Sequence, residues 1–198
     1  MKYDITTQIA VLPVVDYVSR YRDTERFIKF CEVCNKYNRC WACPPFDFEP
    51  TDIIARYKTI YIVGTKIVPD SNSWRQSETK EERNNEWKKL LSNVRKPLDE
   101  KLLQLEQQYV GSRAFYAGTC FNCPLEQCTR SQELPCVQPQ TLRYSLEAFG
   151  FDMVRTASEL LNIELKWEDN NNFPEYITLI SGFMTNQEIA LDIENSFD

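Results

Sequence analysis

The sequence predicts an α/β fold, a small mixed sheet flanked by helices, with two cysteine-rich metal-binding loops at one end. Three observations carry this expectation. The stretch at 59–68, TIYIVGTKIV, is rich in β-branched and aromatic residues, as a buried strand requires. From about Glu78 to Tyr109 one apolar stripe advances by threes and fours through Trp87, Leu91, Val94, Leu98, Leu102, Leu105 and Tyr109. SRAFYAG at 112–118 then reads as a second strand, and strand, long helix, strand is the right-handed crossover of a parallel pair.

Along the chain, Pro13 suits a first helical turn, and Val14, Tyr17, Val18 and Tyr21 follow at helical spacing. The first cysteine group comes next, and Pro44, Pro45 and Pro50 keep its exit extended or turned. Thr51 or Asp52 is expected to cap a short helix through Tyr57. PDSNSWRQS at 69–77 has loop composition. Pro97 interrupts the long apolar stripe, yet the stripe keeps phase on both sides, so a kinked helix or two nearly collinear ones are expected. The Lys/Glu-rich remainder of that segment reads as a solvated face. After the second cysteine group, QTLRYSLEAFG at 140–150 reads as a helix ended by Gly150. DMVRTASELLN at 152–162 reads as another, capped by Asp152, and LKW and EYITLISGFMT as strands. The tail from Asn186 is acidic.

At 198 residues the chain is expected to form one metal-binding domain over 1–198. A chain of this size buries roughly 70% of its unfolded surface, so it needs no covalent staples to fold. Its net charge is −6 with no Lys/Arg block, which argues against nucleic acid or an anionic membrane as partner. No apolar run reaches spanning length. The opening MKYDITTQIAVLPVV carries Asp4 and no small-residue cleavage site after an apolar core, so it does not read as a signal peptide. A cytoplasmic protein is expected, and there cysteine clusters bind metal or do redox work more often than they form disulfides.

Histidine is absent. That excludes a Ser-His-Asp triad, a Cys-His nucleophile, a His-ligated zinc, a Rieske centre and a His-ligated haem. Any metal must be held mainly by thiolates.

The cysteines fall into two quartets. Cys31, Cys34, Cys40 and Cys43 have the spacing C-x2-C-x5-C-x2-C, and Cys120, Cys123, Cys128 and Cys136 have C-x2-C-x4-C-x7-C. A C-x2-C step puts two sulfurs on one turn, and two more nearby allow complete thiolate ligation. Zinc knuckles are usually separated by a dozen or more residues, whereas these gaps are short. Compact spacing and the Cys43–Pro44 step favour an iron–sulfur cluster of the 4Fe-4S type, with zinc as the alternative. Spacing leaves open that Cys31/Cys34 pair with Cys120/Cys123, or that ligands cross between the groups. Thiol redox at Cys120/Cys123, which follows a strand, also stays open. Tyr37, Trp41, Phe46, Phe48 and Phe121 crowd the cysteines and read equally as a dry shell around a cluster or as core. The expected role is electron transfer or redox support, with a partner of basic surface; a zinc-stabilised structural or interaction module is the alternative.

Two signatures resemble those of the cysteine-rich predicted metal-binding proteins, a domain family of unknown function frequent in anaerobic bacteria and archaea. The likeness runs from about Asp23 to Met184. The first signature is Cys31, Cys34, Tyr37 and Cys43-Pro44-Pro45; the second is Gly118, Cys120, Cys123, Cys128, Pro135-Cys136, Pro139 and RYSLEAFGFD. The chain departs from the family pattern at Tyr144 and Leu146, where proline and methionine are expected. The resemblance implies metal binding at Cys31, Cys34, Cys43, Cys120, Cys123, Cys128 and Cys136, and leaves Cys40 outside the pattern. With Cys40 spare, the first centre holds three thiolates and either borrows a ligand or leaves an iron open. Arg143 and Glu147 stand four apart and are expected to form a helical ion pair, although Arg143 or Ser145 could instead donate to sulfur or to a substrate anion.

Overall fold

A computed structural model describes residues 2–70, 79–167 and 174–189. Its four strands are β1 (Tyr3–Pro13), β2 (Thr59–Pro69), β3 (Arg113–Phe115) and β4 (Ile177–Thr185). They lie in the order β1-β2-β4-β3, and every neighbouring pair is antiparallel. The α/β class is as expected, but the sheet is antiparallel throughout where a mixed one was expected. β2 and β3 run the same way without touching, because β4 lies between them. Length explains this. Nine-residue β4 pairs along β2 from Thr59↔Thr185 to Ile67↔Ile177, whereas three-residue β3 leaves most of the β2 edge unpaired.

Both faces of the sheet are covered. Ile60, Ile62, Phe115, Ile180 and Met184 pack on one face against Val14, Tyr17 and Tyr21 of α1 (Val14–Tyr21) and against the segment from Leu146 to Ile163. On the other face Val63, Ile67, Ala114, Leu179 and Phe183 meet Leu90, Val94, Leu98, Leu102 and Leu105 of the long helix. β1 was not foreseen, for a physical reason. Tyr3 and Ile5 join the long-helix side, whereas Ala10 and Leu12 join the opposite side, so its apolar phase changes face midway.

Helix α2 (Thr24–Glu32), also unforeseen, starts at Asp23, whose Oδ1 accepts the Arg26 N–H at 3.0 Å, and carries Cys31 in its last turn. Helix α3 (Pro50–Ile54) begins on Pro50 with no side-chain cap; Thr51, expected as a cap, instead accepts from Arg22 Nη1 at 3.0 Å. Helix α4 (Lys80–Gln108) is one continuous helix through Pro97, opened by a capping box between Thr79 and Glu82. The loop expected at 69–77 lies, past Asp70, outside the described residues, as does the chain from 190.

The helix expected at 140–150 is not formed. The Tyr144 carbonyl accepts the Tyr116 N–H at 2.9 Å, which prolongs the β3 edge, and only a 3₁₀ turn, Glu147–Phe149, remains before Gly150. Asp152 does cap the next helix, α5 (Met153–Arg155), which widens into a π turn at Thr156–Leu160. Leu165 to Trp167 is irregular, not a strand.

Gly150 has φ 84°, and a Cβ placed on it would stand 2.9 Å from the Thr24 Cα. Left-handed backbone strain and a clash with main chain then act together, and neither is relieved by a rotamer change. Gly150→Ala is therefore expected to cost about 2–4 kcal/mol, read from the urea midpoint at unchanged m-value.

Candidate metal centre

The first cysteine group is a set of tight turns hung on the end of α2. The Cys34 N–H donates to the Cys31 carbonyl at 2.9 Å, and the Cys43 N–H to the Cys40 carbonyl at 3.0 Å, so each C-x2-C pair closes one turn. The Asn38 N–H reaches the Pro44 carbonyl at 2.8 Å and folds the loop back on itself. The second group begins where β3 delivers the chain through Gly118 to Thr119 and Cys120. There the sulfurs are hydrogen-bond acceptors. Asn122 N–H donates to Cys120 Sγ at 3.5 Å, Gln138 N–H to Cys136 Sγ at 3.4 Å, and Gln138 Nε2 to Cys123 Sγ at 3.8 Å.

The two loops are latched together. Trp41 Nε1 donates to the Leu134 carbonyl at 3.1 Å, Arg130 stacks over the Trp41 ring at 4.6 Å, and its Nη2 donates to the Pro45 carbonyl. Thr119 sits between the groups, its hydroxyl 3.3 Å from Cys43 Sγ and donating to Cys40 Sγ at 3.7 Å.

The sulfurs divide between two cavities, and not by sequence group. One cavity, of about 170 Å³, is lined by Cys120, Cys123, Cys128 and Cys136 together with Cys40. The other, of about 140 Å³, is lined by Cys31, Cys34 and Cys43, with Tyr37, Thr119, Ser145 and Glu147 completing the wall. Cys40 is only 5% exposed; its sulfur touches Cys43 of its own quartet and Cys120 of the other, and it lines the second group's cavity. Among the described residues no group of three or more Cys, Asp or Glu side chains has the geometry of a single-ion site. Thiolates around one zinc ion would sit roughly 3.8 Å apart, each ~2.3 Å from the metal. Only Cys43, Cys40 and Cys120 are in sulfur–sulfur contact among the described residues, and the rest are spread over the two cavity walls.

Their electrostatics follow from contact and burial. The Cys120 and Cys43 thiols both donate to Cys40, so its sulfur is the first of the three to ionise. The same contacts, with burial, push Cys43 and Cys120 well up. Burial also raises Cys31, helped by the neighbouring charges of Cys34 and Glu147, and raises Cys123, helped by Cys128 and Cys136.

Three charged residues near the sulfurs were not foreseen as part of the site. Arg95 lies on α4, 3% exposed, bonded to Asp99 at 3.2 Å and stacked on Phe121 at 4.1 Å. Burial lowers its pKa, and Asp99, Cys120 and Glu147 are the negative groups that oppose this. Burial pushes Asp99 up to about 7 despite Arg95. An Arg beside Val94 and four residues before an Asp, on an otherwise apolar flank, was the signal in the sequence. Glu147 was expected to pair with Arg143. Instead Arg143 grips Glu106 of α4, its Nε 2.8 Å from each carboxylate oxygen, and Glu106 Oε1 also takes the Ala114 N–H. Arg143 is thus a tie between α4 and β3, while Ser145 lines the three-thiol cavity. Of the aromatics, Phe46 and Phe48 stack on each other at 4.9 Å and pack with Tyr144 and Phe149. Tyr37, Trp41 and Phe121 line the thiol cavities.

The family model "Predicted metal-binding protein (DUF2284)" matches residues 18–184. The chain belongs to that family. All eight cysteines fall inside the matched span. No curated protein and no solved structure matches the chain.

Burial ranks the thiols for attack in the metal-free protein. Cys34 is exposed, whereas Cys40, although its neighbours favour its ionisation, is shielded. Access dominates for a shielded thiolate. Timed iodoacetamide labelling with mass spectrometry is expected to modify Cys34 first and Cys40 last.

Proposed function

We propose that the protein binds iron–sulfur clusters of the 4Fe-4S type at two centres and serves electron transfer or supports a redox reaction. The observation that carries this reading is the sorting of eight cysteines into two cavities, of about 170 and 140 Å³. Each offers several times the ~10–15 Å³ that one water-sized occupant needs, so each suits a polynuclear group better than a lone ion. Family membership supports the metal. The N–H···S bonds at Cys120, Cys123 and Cys136 support negative sulfur, and such bonds help set a cluster's potential. A buried Arg95 beside Cys120 offsets part of the charge that thiolate ligation brings.

The first centre takes Cys31, Cys34 and Cys43. The second takes four of Cys40, Cys120, Cys123, Cys128 and Cys136. When bound, the clusters supply one-electron chemistry. The chain contributes the ligands, the hydrogen bonds and the apolar walls. At net charge −6, it favours a redox partner with a basic face, and binding to that partner weakens with added salt. Affinity titrations at two ionic strengths check this; an unchanged affinity removes the electrostatic argument.

Protein purified without oxygen is expected to be coloured and to release acid-labile sulfide in proportion to iron. Colourless protein with stoichiometric zinc would establish the zinc scaffold instead. Cys40→Ser is expected to leave the iron of the three-thiol centre intact and to alter the spectrum of the other centre alone. Loss of iron from the first centre would return Cys40 to its own quartet.

A further inference from the structure

The three-thiol cavity contains a fourth donor that is not sulfur. Glu147 lines it with Cys31, Cys34 and Cys43, and its Oε2 is buried without a hydrogen-bond partner. Its charge reaches Cys31, whose thiol it helps push upward. The Ser145 hydroxyl and Glu147's own N–H stabilise the carboxylate, against burial that raises its pKa. The buried cation that acts on this carboxylate, Arg95, is bonded through Nε to Asp99, and none of its nitrogens is hydrogen-bonded to Glu147; its own Nη2 has no partner. Arg143, four residues before Glu147, is engaged with Glu106. A buried carboxylate oxygen with no partner is costly, and such a group persists where a cation or metal takes the vacant lone pair.

Its placement is also fixed. The turn that carries Glu147 ends at Gly150, whose carbonyl accepts the Asp23 N–H at 2.9 Å, and Asp23 caps the helix whose last turn carries Cys31. Arg22 Nε holds the Phe149 carbonyl of the same turn at 2.8 Å. Carboxylate and first thiol therefore stand on one braced unit, as ligands of a common centre must.

We infer that Glu147 is the oxygen ligand that completes the three-thiol centre of Cys31, Cys34 and Cys43. This rests on the metal-binding reading above and deepens it: one centre is all-sulfur, the other three sulfurs and one carboxylate oxygen. Iron held by a carboxylate is bound through a harder donor than thiolate. That corner of a cluster is the one distinguishable from its neighbours.

The test uses the full chain, reconstituted without oxygen with sulfide and isotopically enriched iron, as wild type, Glu147→Gln and Glu147→Cys. Mössbauer spectra of the wild type are expected to show an oxygen-ligated subsite amounting to about one iron in four at the first centre. Glu147→Gln loses that subsite, and Glu147→Cys replaces it with a thiolate-type signal at undiminished iron content. Melting gives a readout that a merely structural role would not move. Metal-free Glu147→Gln, freed of a buried charge, melts at or above the wild type, yet gains less on loading. Identical spectra and identical gains on loading in all three proteins would overturn the inference, and would leave Glu147 as an acid or base for the neighbouring cavity that it also lines. If the wild type takes up no iron and sulfide, the cluster reading fails separately. The ligand question then passes to X-ray absorption of protein saturated with zinc: an oxygen neighbour present in the wild type and lost in Glu147→Cys supports the carboxylate, and equal oxygen counts in the two proteins refute it.

Discussion

The arrangement depends on one corner, where Thr119 and Cys120 meet the turn from Cys40 to Cys43. The contacts span 76 to 79 residues of chain, and nothing local holds them. Thr119 bridges the Cys43 and Cys40 sulfurs, and the Cys120 thiol reaches Cys40. Much of the remaining structure brings this corner about. β3 is three residues long, yet its edge continues when Tyr116 N–H bonds the Tyr144 carbonyl. Glu106 on α4 clamps both the Ala114 N–H and Arg143, so the long helix fixes where the strand ends. On the other side of the corner, Trp41 and Arg130 lock the first loop to the second.

What could be read in the sequence was what depends on local periodicity. α4, β2, β4 and α1 show themselves because each buries a single consistent stripe or run, and the Asp152 cap because a short polar side chain met the next helix in register. The C-x2-C pairs close turns because that spacing permits little else. The misreadings have one cause: tertiary contacts chose among locally reasonable options. QTLRYSLEAFG has helical spacing, but Arg143 finds a better partner in Glu106 and Tyr144 a better one in Tyr116. β1 hides because its apolar residues change face midway. The separation of Cys40 from Cys31, Cys34 and Cys43 was offered by the resemblance, but its place in the second group's cavity was not legible from spacing. Spacing says which cysteines share a turn, while cavity geometry says which way each points.

The same distinction explains where local rules are broken. Arg95 sits nearly sealed on a helix flank where an apolar residue would be the stable choice, and Asp99 is buried beside it with its pKa lifted to about 7. Glu147 is a carboxylate folded into a cavity wall. Each raises the cost of folding, since a buried ion recovers its hydration only through good partners. Arg95 and Glu147 act electrostatically on Cys120 and Cys31, and Asp99 is bonded to Arg95. Such groups mark a place where local preference and global fold disagree, which is where functional sites commonly lie.

Cys40 and Cys43 end a single turn but face different cavities, and that has an energetic consequence for whatever the cavities take. The ends of such a turn lie within about 7 Å of one another. At an effective dielectric of 20, two unit charges at that separation interact by about 2 kcal/mol, too close and too sheltered for salt to screen. The thiols follow the same rule: donation from Cys43 and Cys120 favours ionisation of Cys40 and disfavours their own. Any charge placed on one side of the turn is felt on the other, so the thiols of the two cavities titrate as a coupled set, with apparent constants that belong to the set. Because Cys40 of one quartet lines the cavity of the other, the two thiol-lined cavities form a single electrostatic unit.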